Sequence, residues 1–128
     1  MENEVRTLLS LLERCTLCPR ACGVNRLASE KGFCGASGEK AEVAKIMLHR
    51  WEEPCISGTD PARGSGAIFF VHCTLRCVYC QNSAISGRAE QLRARQIRLM
   101  DSRELADAFL KLEADGVYNI NLVTPTHY

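Results

Sequence analysis

The sequence has no surplus of either charge. Sixteen Lys and Arg stand against fifteen Asp and Glu, well interspersed, for a net charge of +1 over 128 residues. Such a balance gives no electrostatic footprint for nucleic acid or an anionic membrane. Long apolar runs are also missing, and nothing approaches the length of a transmembrane helix. The opening MENEVRTLLSLLER has charges on both sides of a short apolar run and no small-residue cleavage pattern, so it does not read as a signal peptide. The expectation is a cytoplasmic protein with no membrane and no nucleic-acid partner. Gly64-Ser65-Gly66 lacks the Lys-Ser/Thr of a phosphate loop and precedes a strand rather than a helix, so it reads as a turn. The arginine-rich run over residues 88–98 has no interleaved stacking aromatics and has acidic neighbours, which makes it a solvated face.

What the chain does have is cysteine, eight in all: Cys15, Cys18, Cys22 and Cys34, then Cys55, then Cys73, Cys77 and Cys80. An even count permits a disulfide scaffold, but the spacings are those of metal sites and no export signal is present. Most of the eight are therefore expected to be metal ligands. A chain of 128 residues buries one modest core, so one domain or part of one is expected.

The central stretch is AIFFVHCTLRCVYCQNSAIS, residues 67–86. Ile68, Phe69, Phe70 and Val71 predict a short strand buried on both faces. It runs into Cys73-x3-Cys77-x2-Cys80. Four thiolates would close a zinc or iron–sulfur site, whereas three leave one coordination position open for chemistry. Earlier in the chain, Cys15-x2-Cys18 is a metal knuckle that Cys22 and Cys34 complete, among Gly23, Gly32 and Gly35. Four thiolates suit either structural zinc or a second iron–sulfur cluster, and both readings stay open. Arg20 and Arg26 in this loop are expected to be solvated.

The flanking elements are plainer. Val5, Leu8, Leu9 and Leu12 predict an amphipathic helix docking its apolar stripe on the body. AEVAKIMLHRW, residues 41–51, predicts a strand, with His49 structural near its end; the adjacent Glu52 and Glu53 point to opposite faces and make no catalytic dyad. Asp101-x-x-Glu104 predicts a capping box. Leu105, Ala108, Phe109 and Leu112 give the helix its stripe, and Gly116 ends it. A strand over residues 117–123 follows, so strand, cysteine loop, helix and strand form a βαβ unit on a parallel sheet.

The three-cysteine spacing, with Tyr79 before the last cysteine and a buried strand before the first, resembles the radical S-adenosylmethionine superfamily. GSGAIFFVHCTLRCVYCQNSAIS, WEEPCISG and NINLVTPTHY together resemble its pyruvate formate-lyase activating enzyme-like branch, from about Cys15 to Tyr128. The resemblance implies an α/β fold, the start of a partial (β/α) TIM-like barrel (residues 63–128) preceded by a helix and a small Cys-rich metal-binding lobe (residues 1–62). It implies a 4Fe–4S cluster on Cys73, Cys77 and Cys80, with S-adenosylmethionine on the fourth iron. The implied reaction is reductive cleavage to a 5′-deoxyadenosyl radical that removes a hydrogen atom from the substrate. A low-potential donor such as flavodoxin or ferredoxin is implied as partner. A protein glycine is the suggested hydrogen donor, and a small-molecule substrate is the open alternative. Where most of the superfamily has a Gly-Gly-Glu-like segment after the second strand, this chain has TPTH. Thr124, Thr126 and His127 are then candidates for the methionine end, and Tyr79 for packing beside the cluster or adenine. Since a barrel of this type needs further strands, a truncated chain is expected. Two other classes remain: an electron-transfer protein in which Cys55 closes the second site, and a zinc-stabilised binding module with His72 or Cys55 as fourth ligand.

Overall fold

The computed structural model describes residues 2–50, 52–60, 62–87, 92 and 96–128. Trp51, most of the arginine-rich run (88–91 and 93–95) and the side chain of Val5 lie outside the described residues. The elements are α1 (Glu2–Ser10), a 3-10 turn (Arg26–Ala28), β1 (Ala41–His49), α2 (Pro54–Ser57), β2 (Ser65–Phe70), α3 (Ser83–Ser86), β3 (Arg98–Met100), α4 (Ser102–Ala114) and β4 (Asn119–Val123). The four strands form one α/β sheet in the order β3-β1-β2-β4.

The apolar run expected to be a strand is β2, and it sits centrally, antiparallel to β1 and parallel to β4. The βαβ unit read from the sequence is therefore present, with α4 on the crossover. β1 runs against both its neighbours, so the sheet is mixed. It also belongs to the same sheet as β2, so one sheet crosses the expected boundary at residue 62. Its register slips between Val43 and Lys45, which pair with Phe70 and Phe69 in turn. Such a bulge twists the strand locally.

One face of the sheet holds the core. Ala41, Val43, Ile68, Phe70 and Met100 pack with Leu112 and Val117, with Leu105, Ala108 and Phe109 of α4 around them. The expected stripe of α4 is thus the buried one. Its start is a full capping box: the Asp101 carboxylate accepts from the Arg103 and Glu104 N–H groups while Glu104 accepts from the Asp101 N–H. Gly66 lets the helix approach, for a Cβ there would lie 3.1 Å from both δ carbons of Leu112.

One element was not expected and one expectation is corrected. Arg98, exposed as a solvated face requires, opens β3, a three-residue edge strand. The stripe of α1 does not dock as a whole: Leu12, just beyond the helix, is buried, but Leu8 is 64% exposed and Leu9 and Leu11 are also exposed. Among the described side chains of this stripe only Leu12 is buried, and a nine-residue helix gains little from so small an anchor.

Candidate metal centre

The carboxyl ends of the parallel strands β2 and β4 gather the residues of interest. β2 ends at Phe70, and His72 then takes a left-handed backbone with φ 71°; Thr124, just past β4, does the same at 59°. Non-glycine residues hold that conformation only where the surroundings fix it. Here the His72 N–H donates to the Ile85 carbonyl at 2.7 Å. The Thr124 hydroxyl lies 2.8 Å from the Val123 carbonyl and 3.3 Å from that of Phe70, tying one strand end to the other.

Cys73 follows, buried, its sulfur accepting from the Leu75 N–H at 3.4 Å. Cys77 and Cys80 lie in one turn, with the Cys80 N–H on the Cys77 carbonyl at 3.2 Å. The Cys80 sulfur is 3.4 Å from the Ser86 hydroxyl. Both cysteines open on one cleft of about 440 Å³, which Arg76, Ser83 and Ser86 also line. All three cysteines share one loop, while among the described residues no three His, Cys, Asp or Glu side chains are already gathered around one ion position. Tyr79, at the loop's tip, is 87% exposed and is not a core aromatic.

His72 does not fit the role of fourth ligand. Its Nε2 is 3.1 Å from the Glu42 carboxylate and its Nδ1 3.1 Å from the Gly87 carbonyl. Both ring nitrogens thus already lie against oxygen atoms of Glu42 and Gly87, which leaves neither of them free to turn toward the cysteine loop. The hydrogen bond from His72 holds the Glu42 carboxyl below its ordinary value, against the effect of burial. Cys55 does not fit either. It sits on α2, which leads into the amino end of β2, while the cysteine loop leaves the other end. Five strand steps separate those ends, about 17 Å at roughly 3.3 Å per residue. His49 and Glu52, 3.2 Å apart, are also at that far end.

His127, past the end of β4, is fully buried, its Nε2 donating to the Val71 carbonyl at 2.9 Å. Burial lowers its pKa to about 4, opposed by that hydrogen bond, so the ring is neutral. Tyr128 also bonds the Val71 carbonyl through its hydroxyl, and burial raises its pKa. Thr126, between Pro125 and His127, is exposed. Arg26 is not solvated but 2% exposed, its Nη1 donating to the His127 carbonyl.

In the amino-terminal lobe, Cys15 pairs through its backbone with Val24 and Gly23, and the Cys18 carbonyl accepts from the Ala21 N–H. Cys22 Sγ accepts from the Phe33 N–H at 3.3 Å. A Cβ on Gly32 would lie 3.0 Å from that sulfur. Burial raises the pKa of Cys34, and Cys15 and Cys18 add to the rise from close by, against a backbone hydrogen bond at Ala36 and the charge of Arg26. Three of the four cysteines are therefore within electrostatic reach of one another. Arg20 is not free: its Nε donates to the Thr74 carbonyl at 3.1 Å. It stacks on Phe33, as does Arg76 from the second cysteine loop. Glu42, Phe33 and Arg76 are contacts that sequence reading missed, because none lies in a periodic pattern or a ligand spacing.

Among the described residues no helix is long and apolar enough to cross a membrane. No protein-family model and no solved structure matches the chain. An uncharacterized protein of Methanocaldococcus jannaschii is 31% identical over 86 residues, which are 67% of this chain and 23% of that protein. The chain therefore spans less than a quarter of that relative's length.

Proposed function

We propose that this chain carries the cluster-binding loop and first strands of a radical S-adenosylmethionine enzyme of the pyruvate formate-lyase activating enzyme-like kind. One observation carries the reading. Cys73, Cys77 and Cys80 share a short loop at the carboxyl end of β2, beside its parallel neighbour β4. Ligands of open α/β sheets gather at that end of the strands.

The donor set suits a 4Fe–4S cluster: three soft thiolates in one loop, two of them lining one cleft. Bound there, the cluster and S-adenosylmethionine supply one-electron reductive chemistry. The protein's own part is to hold and tune. The Leu75 N–H on Cys73 and the Ser86 hydroxyl beside Cys80 are hydrogen-bonding groups of the kind that set sulfur basicity. The exposed Tyr79 and Thr126, with Thr124, are the groups left to contact S-adenosylmethionine. Neutral His127 braces the Val71 carbonyl, just after β2.

In this reading β2 and β4 are the first parallel strands of a partial barrel, and the four amino-terminal cysteines hold zinc or a second iron–sulfur cluster. A flavodoxin or ferredoxin in the cytoplasm is the electron donor. The hydrogen donor is a glycine of a protein partner, with a small molecule as the competing substrate. Neither the membrane nor nucleic acid has a part.

The test is electron paramagnetic resonance of anaerobically reconstituted, reduced protein, with and without S-adenosylmethionine. The expected result is a 4Fe–4S signal that shifts when S-adenosylmethionine is added. A chain that binds zinc in place of iron at Cys73, Cys77 and Cys80 sinks the proposal.

A further inference from the structure

Phe33 joins the two cysteine groups, through contacts with Cys22 and Arg20 on one side and Arg76 on the other. Its N–H donates to Cys22 Sγ at 3.3 Å and its carbonyl accepts from Arg76 Nη2. It directly precedes Cys34, as Arg76 precedes Cys77. The guanidinium carbons of Arg20 and Arg76 each stand 3.9 Å from its ring centroid. Arg20, placed between Cys18 and Cys22 in the chain, also donates to the Thr74 carbonyl, next to Cys73. Arg76 holds a left-handed φ of 59°, and its Nε is buried with no partner.

A cation over an aromatic face is favourable, but two cations on one ring repel each other. The arrangement therefore needs negative charge close by. Neutral thiols supply none. Four thiolates on a divalent ion form a net-negative centre, and three on an iron–sulfur cluster likewise leave it anionic.

We infer that Arg20, Phe33 and Arg76 form a clamp that couples occupancy of the two cysteine sites. A metal–thiolate centre on Cys15, Cys18, Cys22 and Cys34 closes the clamp, which fixes residues 74–76 and so positions Cys77 for the second centre. The coupling is reciprocal, as any linkage of two sites must be. The inference rests on the proposed function in taking both cysteine groups as metal sites. The three clamp residues are positioning residues and ligate nothing themselves.

The test is amide hydrogen exchange over residues 74–76 in the full chain carrying Cys77→Ala and Cys80→Ala, with and without zinc. Those substitutions leave the amino-terminal four as the zinc site. Zinc should slow exchange there by about fivefold. Phe33→Leu, and separately Arg76→Gln, should still bind zinc and lose the slowing. Should Phe33→Leu fail to fold, Arg20→Gln gives the same comparison from an exposed position. Equal slowing in the variants, zinc binding without slowing, or no zinc binding each overturns the clamp. Iron–sulfur reconstitution of the unsubstituted chain separates the two readings. Zinc-dependent slowing with no iron–sulfur absorbance leaves the clamp standing and sinks the proposed function. The absorbance without the slowing sinks the clamp alone.

Discussion

Arg26 donates from Nη1 to the carbonyl oxygen of His127 at 2.6 Å, joining two residues 101 positions apart. The guanidinium is buried, 5.5 Å from the Tyr128 ring. This one contact ties the cysteine-rich lobe to the segment after β4. Arg26→Met keeps most of the volume but removes the donors and leaves the His127 carbonyl unpaired. A loss of about 2–4 kcal/mol is expected in urea denaturation. An unchanged midpoint would show that the two segments are held together by other contacts.

His127 makes stability depend on pH with a definite sign. In the folded chain it takes a proton only near pH 4, because the ring is buried, whereas its ordinary value is 6.5. Between those values the unfolded chain binds more protons, so stability falls as pH falls through that window and levels off below it. The shift corresponds to about 3 kcal/mol, as an order of magnitude. Glu42, held below its ordinary 4.5 by the hydrogen bond from His72, extends the loss further toward acid. His127→Gln should flatten the curve between pH 6.5 and 4 in chemical denaturation at stepped pH. A slope that survives the substitution would assign it to another group.

Much of the frame was legible because it rests on local rules. The capping box at Asp101 and Glu104, the stripe of α4 and the apolar run of β2 each follow from spacing over a few residues. The three-cysteine loop was legible for the same reason. What stayed hidden depends on register between distant segments. Glu42 meets His72 because of how β1 lies against β2, with a bulge at Val43 and Lys45. No local pattern encodes that pairing. β3 was missed since three residues, one of them arginine, carry too little alternation to mark a strand. Arg20 and Arg26 read as solvated because arginines in a polar loop usually are. Their burial or stacking depends on Phe33, Thr74 and His127, all remote in the chain or outside any pattern.

Gly66 sets the distance between β2 and α4. An added Cβ would lie 3.1 Å from Leu112 Cδ1 and Cδ2 and 3.3 Å from its Cβ. Rotating the leucine moves the δ carbons but not its Cβ, so the helix itself must shift. Gly66→Ala is expected to cost about 1–3 kcal/mol through overpacking, despite alanine's lower chain entropy. Thermal unfolding of the variant checks this, and in a Leu112→Ala background, itself destabilised by the lost core side chain, Gly66→Ala should cost less than in the native chain but not nothing, since the Cβ of residue 112 remains. A stabilised single variant would mean that α4 lies farther from the sheet.

Cys55 separates the enzyme reading from an electron-transfer protein with a closed site. It is exposed on α2, and that short helix leads into the end of β2 that lies away from the cysteine loop. Reaching Cys73 would require the chain around β2 to reorganise, since ligand sulfurs must all lie about 2.3 Å from their metal. Cys55→Ala should therefore leave iron and sulfide content, and the paramagnetic signal of the reduced protein, as they are in the unsubstituted chain. The contrasting variant is Cys77→Ala, which removes a sulfur from the cleft and should abolish the signal of the second centre. A signal that survives Cys77→Ala but disappears with Cys55→Ala would place the cluster away from the β2 loop, and the open coordination position with it.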